Sequence, residues 1–276
     1  MTLTNKSSGD ALQKLLAIMD ALRDPQHGCP WDLEQDYSTI APHTLEEVYE
    51  VIDAIEQGST TQLESELGDL LFQIVFYARL GKERGDFDFT TIVESIARKL
   101  LQRHPHVFPD GSIESAGQPA QISSSQVAGN WERIKQTERQ QNKSVPVSVL
   151  DDVPQALGAL LRAGKLQKRA ASQGFDWAEA KGVIEKLREE LAELEQAIAS
   201  GSHQETSAEF GDVLFTMVNL ARHLRLDSET ALRKANRKFE TRFRAMEKLV
   251  MESGKGLPEL DIDAMERYWQ QVKQRE

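Results

Sequence analysis

The sequence predicts an all-α protein built as a tandem duplication of one helical bundle, and three observations carry that prediction. Apolar residues recur at helical spacing along almost all of the 276 residues, and no stretch sustains period-two alternation. The 17 Gly and 9 Pro are about 9% of the chain against a usage near 12%, which favours long elements over many tight turns. The segment ELGDLLFQIVFYARL, starting at Glu66, aligns with EFGDVLFTMVNLARHL, starting at Glu209, at an offset of 143.

The periodicity predicts about ten helices, taken here in order. The first, 10–23, contains the amphipathic stretch Leu12–Met19, which Lys14 separates in character from a secretion signal. A helix over 39–57 is closed by Gly58, and one over 61–84 opens with Thr61 and Glu64 at capping-box spacing. Its run Leu70–Ala78 is nine residues broken by Gln73, far short of the roughly 20 that a membrane span needs. A helix over 89–103 ends ahead of Pro105, and another is predicted over 124–141. The second half repeats the plan with 153–172, 177–200 closed by Gly201, 203–225 opened by Ser202 and Glu205, 227–252 and 261–274. Residues 109–125 (PDGSIESAGQPAQISSS) and 142–154 (NKSVPVSVLDDVP) resist helix continuation and read as connectors. The expected organisation is therefore a domain over 1–141, a linker over 142–154 and a domain over 155–276.

Charge narrows the function. With 33 basic and 44 acidic residues the net charge is −11, the wrong sign for tracking a nucleic-acid polymer. A small phosphorylated ligand stays open, because a local basic cluster or a metal held by carboxylates overrides the global sign. The lone Cys29 excludes an intramolecular disulfide and any Cys-rich zinc site. The expected location is the cytoplasm, away from membranes.

Each half carries E-E-x-x-E followed, after 15 intervening residues, by E-x-x-D. Residues three apart share a helix face, so Glu47 pairs with Glu50 and Glu66 with Asp69, repeated as Glu190 with Glu193 and Glu209 with Asp212. The short connection QGSTT predicts an antiparallel hairpin that brings four carboxylates together. Oxygen-only ligands suit hard ions such as Mg²⁺ or Mn²⁺. One such motif alone is an ordinary solvated face, but recurrence of all four acids at one offset, beside an apolar run, argues for a site. Basic pairs four apart, Lys99 with Arg103 and Lys238 with Arg242, could clamp successive phosphates. Lys186 lies one turn before Glu190, where the first half has His43. Trp131 and Trp269 occupy matching places and could stack a nucleobase or simply fill a core. Trp31 and Trp177 precede helices as packing residues; Cys29 has no base partner, and His104-Pro105-His106 marks a helix end more plainly than a metal pair. There is no P-loop, Rossmann glycine fingerprint or G-x-S-x-G elbow.

In the frames TLEEVYEVIDAI and ELGDLLFQIVFYARL, these motifs resemble the MazG family of all-α nucleoside triphosphate pyrophosphohydrolases. With GCPWD and QRHPHVF in the first half and ANRKFETRF in the second, the chain resembles the duplicated bacterial form from about residue 10 to 274. Gln102 stands where that pattern often has Arg. The resemblance implies cleavage of NTP and dNTP to the monophosphate and pyrophosphate, Mg²⁺ dependence and a helical homodimer. It further implies that Glu190, Glu193, Glu209 and Asp212 are metal ligands, that Lys186, Lys238 and Arg242 hold phosphates, and that Trp269 contacts the base. The expected reaction is metal-assisted hydrolysis with pyrophosphate leaving, with Glu46 or Glu189 as candidates to orient the water and Glu189, Glu190 and Glu193 as the catalytic acids. Glu47, Glu50, Glu66, Asp69, Lys99, Arg103 and Trp131 would form a second, N-terminal site. Lys186 against His43, an imidazole being mostly neutral at pH 7, makes residues 155–276 the expected main catalytic unit. Two rivals differ in class: a non-catalytic nucleotide-binding scaffold, and a ferritin-like carboxylate protein. The latter expects E-x-x-H where this chain has Asp69 and Asp212.

Overall fold

The computed structural model describes residues 7–117, 123, 126, 127, 131, 134 and 148–275. The chain divides into two compact units, Met1–Asn142 and Lys143–Glu276. Among the described residues every regular element is helical, as the periodicity predicts.

The first unit comprises α1 (Ser8–Leu22), α2 (Pro30–Glu34), α3 (Tyr37–Gln57), α4 (Thr60–Arg84) and α5 (Phe89–Arg103). Helices α3 and α4 form a hairpin, with α1 and α5 packed against α4. Met19, Ile40, Val75, Phe76 and Leu80 make its buried cluster, each side chain contributing on the order of 1.5–3 kcal/mol by leaving water. Arg23, almost wholly buried, ties this core to its edge. It donates to both carboxylate oxygens of Glu83 at 2.9 and 2.7 Å and to the carbonyls of Asp32 and Gln35. The short α2 was not expected from periodicity; it starts on Pro30, whose missing N–H costs nothing in the first turn.

The second unit comprises α6 (Ala159–Ala171), α7 (Ala180–Ser200), α8 (His203–His223), α9 (Ser228–Glu252) and α10 (Ile262–Gln274). Helices α7 and α8 form the equivalent hairpin, α6 packs on α8 and α9, and α10 packs on α9 around Met246, Val250 and Val272.

Local expectations fail in four places. The cap of α4 is Ser59, whose hydroxyl accepts from the Gln62 amide at 3.3 Å, so Thr61 and Glu64 form no capping box. At α8 the Ser202 hydroxyl accepts from the Glu205 amide at 3.3 Å, but the Glu205 carboxylate accepts instead from the Ser200 hydroxyl at 3.1 Å, leaving half a box. A complete box sits at Asp36 and Thr39, opening α3 two residues before the expected start. Residues 153–158, expected to be helical, are turn and coil, and just ahead of them the Arg169 guanidinium donates to the carbonyls of Val149, Asp151 and Asp152. The helix expected over 124–141 and the first part of the expected linker, 142–147, lie largely outside the described residues.

Candidate functional site

Each hairpin turns through two residues, Gly58-Ser59 and Gly201-Ser202. The glycines take φ 71° and 74°, a left-handed conformation that costs a Cβ-bearing residue about 1 kcal/mol or more. The serines that follow cap α4 and α8. This fixes the lengthwise register of paired helices, and so the height of each acid against its partner.

In the first unit, oxygens of Glu47, Glu66 and Asp69 lie within 4.8 Å of one another; in the second, those of Glu190, Glu193 and Glu209 do the same. Glu50 and Asp212, the fourth acids, act on these trios as neighbouring like charges. Partial burial, followed by the charges of Asp69, Glu50 and Glu66, raises the Glu47 carboxyl above its ordinary range. Glu50 is raised by desolvation and then by Glu66. Glu209 is raised by desolvation and then by Glu193, Asp212 and Glu190, with Lys186 opposing. Such repulsion among oxygen donors, only partly offset by Lys186 in the second unit and with no nitrogen or sulfur ligand in either cluster, fits a hard divalent cation.

The two sites differ in their cation. Lys186 Nζ stands 2.7 Å from Glu189 Oε1 and 3.0 Å from Glu190 Oε1, and the two acids push the ammonium to titrate well above its ordinary range. In the first unit His43 Nδ1 is 3.8 Å from Glu46, and its ring meets Trp31 edge-on at 5.8 Å. Glu190 is buried while Glu189, Glu193 and Asp212 are exposed.

The remaining expected residues lie on other helices. Lys238 and Arg242 are on α9, where Arg242 edges a hollow of about 290 Å³ with Lys248 and Val272. Trp269, on α10, sits 5.5 Å from the Phe239 ring and packs on the Met246–Val250–Val272 cluster, so it is anchored in a core as well as adjacent to the Lys238 helix. Lys99 and Arg103 are on α5, and Trp131 lies 5.5 Å from His104. His104 Nδ1 meets the Leu100 carbonyl at 2.7 Å, consistent with its reading as a helix end. Trp177 rests on Gly182, where an added Cβ would come within 2.6 Å of the indole.

One residue was overlooked as a positioning group. Gln73 is buried with only 6% of its surface exposed and its side chain counters the upward pull on the Glu47 carboxyl, while its own Oε1 has no partner. The signal was present: Gln73 is the polar interruption of the Leu70–Ala78 run.

The sequence matches the MazG nucleotide pyrophosphohydrolase domain over residues 35–108 and again over 179–246, so each match contains one acidic hairpin. It is 49% identical to the nucleoside triphosphate pyrophosphohydrolase of Escherichia coli (strain K12), over 96% of this chain and 98% of that protein. It is 40% identical to the nucleoside triphosphate pyrophosphohydrolase/pyrophosphatase MazG of Thermotoga maritima, over 97% of this chain and 98% of that one.

Proposed function

This chain belongs to the MazG nucleotide pyrophosphohydrolase family, and from that membership we propose that it is a Mg²⁺-dependent nucleoside triphosphate pyrophosphohydrolase of the cytoplasmic nucleotide pool. It hydrolyses NTP and dNTP between the α and β phosphates, releasing the monophosphate and pyrophosphate. The observation that carries this reading is the meeting of Glu190, Glu193 and Glu209 within 4.8 Å beside a lysine.

Glu190, Glu193, Glu209 and Asp212 would hold Mg²⁺, and Mn²⁺ fits the same oxygen set. When bound, the ion supplies neutralisation of the phosphate oxygens and relief of the carboxylates' repulsion. The buried Glu190 is the fixed member of this set. Lys186, paired with Glu189 and Glu190, would turn to the incoming phosphates, which frees Glu189 to orient the attacking water and accept its proton. Lys238 and Arg242 take the outer phosphates, and Trp269 lies on the base side. The second unit does most of the catalysis. Glu47, Glu50, Glu66, Asp69, Lys99, Arg103 and Trp131 form a weaker second site or a regulatory one. The test is product analysis with a panel of NTPs and dNTPs, with and without Mg²⁺. Monophosphate and pyrophosphate in equal amounts support the reading, and NDP with orthophosphate as main products overturns it.

The same reading includes a homodimer. Both hairpins leave matching apolar residues exposed at the 143 offset: Ile55 and Ile198, Leu67 and Phe210, Leu71 and Leu214, Ile74 and Met217. Repeated apolar stripes of this kind mark helix faces that another helix covers. Light scattering on the eluting protein should give twice the 31.1 kDa chain mass, and a monomer at micromolar concentration would exclude it.

A further inference from the structure

The two units share a second hollow, at the far end of the hairpin from the acids, and differ in what fills it. Leu15-Leu16 in α1 correspond to Leu160-Leu161 in α6 at an offset of 145, and both helices pack on the second hairpin helix. In the first unit a hollow of about 210 Å³ is lined by Met19, Asp20, Arg79, Asp88 and Phe89 among others. In the second unit a hollow of about 350 Å³ is lined at the corresponding places by Gly164, Lys165, Arg222, Asp227 and Ser228. The register is secure, since Asp88 and Asp227 each cap the following helix by accepting from a threonine amide.

The substitutions act together. Met19 and Phe89, which pack in the first unit's core, become Gly164 and Ser228, and the space opens to a size typical of small-ligand pockets. The charges change as well. In the first unit Arg23 and Arg79 are neutralised from within, both by Glu83 and Arg79 also by Asp20. In the second, Lys168 and Arg222 stand for those cations, but Leu226 replaces Glu83 and Lys165 replaces Asp20. Arg222 and His223 share Asp176, and the Asp227 carboxylate is engaged by the Thr230 amide. Among the described residues neither Lys165 nor Lys168 has an ion-pair partner. They lie three apart on one face of α6, above a floor of Leu160, Leu161 and Val218.

We infer that this hollow of the second unit is a ligand site, separate from the acidic cluster, for a small organic phosphate whose anionic group meets Lys165, Lys168 and Arg222 and whose apolar body rests on the leucines. Asp212 and Arg222 are ten residues apart on α8, about 15 Å along the helix, so the two sites can be filled independently. Arg222 already has Asp176, so the ligand supplies to Lys168 and Lys165 the negative charge that Glu83 supplies to Arg23 in the first unit.

The experiment is calorimetric titration of the full chain with phenyl phosphate in EDTA, which silences any metal-dependent binding at the acids. Saturable binding is expected, weakened about tenfold by Lys165→Asp, the loss of one charge-assisted contact. Gly164→Met, which restores the first unit's filling residue, should weaken it likewise, with helical circular dichroism confirming the fold of both variants. Glu193→Gln should leave the affinity unchanged. Absence of saturable binding, undiminished binding in both pocket variants, or a loss caused by Glu193→Gln would each overturn the assignment.

Discussion

Lys186 reaches forward across one turn of α7 to hold Glu190, with Nζ 3.0 Å from Oε1, and the same ammonium holds Glu189 at 2.7 Å. The equivalent pair in the first unit is looser, His43 and Glu46 at 3.8 Å. A fixed positive charge therefore stands over only one of two otherwise similar acidic clusters, and this difference sets the first predictions.

Lys186→Gln should lower kcat for NTP on the order of a hundredfold, the usual loss when one preorganised charge donor to a reacting group is removed. Steady-state kinetics at saturating Mg²⁺ measures it. Turnover within a factor of two of the parent would remove Lys186 from the phosphate site.

Glu193→Gln should abolish metal-dependent turnover while Glu50→Gln leaves most of it, because the second unit carries the lysine. The two variants are assayed on one substrate panel; if only Glu50→Gln is inactive, the roles of the units are reversed.

Glu209 titrates above its ordinary range in the fold, so its ionised form is disfavoured by folding, and the penalty is fully present above that raised value. As pH falls through it, the folded chain takes up the proton first and stability returns, until the unfolded chain is also protonated below about 4.3. Glu209→Gln in EDTA should thus raise Tm over the parent at pH 7, with the gain shrinking as the pH is lowered toward 4.5. Mg²⁺ should stabilise the parent at pH 7 by binding the folded state and stabilise Glu209→Gln less. A Tm gain that grows with acidity would contradict the repulsion.

Arg23→Ala should destabilise the first unit by about 3 kcal/mol, since it strips a buried guanidinium from Glu83 and from two carbonyls. Chemical denaturation followed by circular dichroism reads the shift, and a change under about 0.5 kcal/mol, the ordinary range for surface positions, would show that Arg79 alone satisfies Glu83.

Much of this was legible because the governing interactions are local. The span of α5 is as predicted, since Asp88 caps its start and His104-Pro105 closes its end. The acids could be paired because each set sits on one helix face and the turn between helices is short. What escaped depends on distant partners. Residues 153–158 look helical by periodicity but are turn and coil, and the bonds from Arg169 to the carbonyls just before them are not written in the local pattern. Ser59 outcompetes Thr61 as a cap by a shift of two residues that no periodicity records. The hollow beside Lys165 was hidden because α1 and α6 align at 145, out of step with the 143 that joins the hairpins.

The turns Gly58-Ser59 and Gly201-Ser202 leave no slack between their helices. A residue deleted there has to be taken from a helix, and each residue withdrawn rotates the flanking face by about 100° and moves it 1.5 Å. Glu209 would then face away from Glu190 although every acid remained in the chain. The meeting of these carboxylates is thus written in length as much as in composition. An acid-preserving deletion at the bend would be as damaging as a lost carboxylate, and far harder to recognise from residue identities alone.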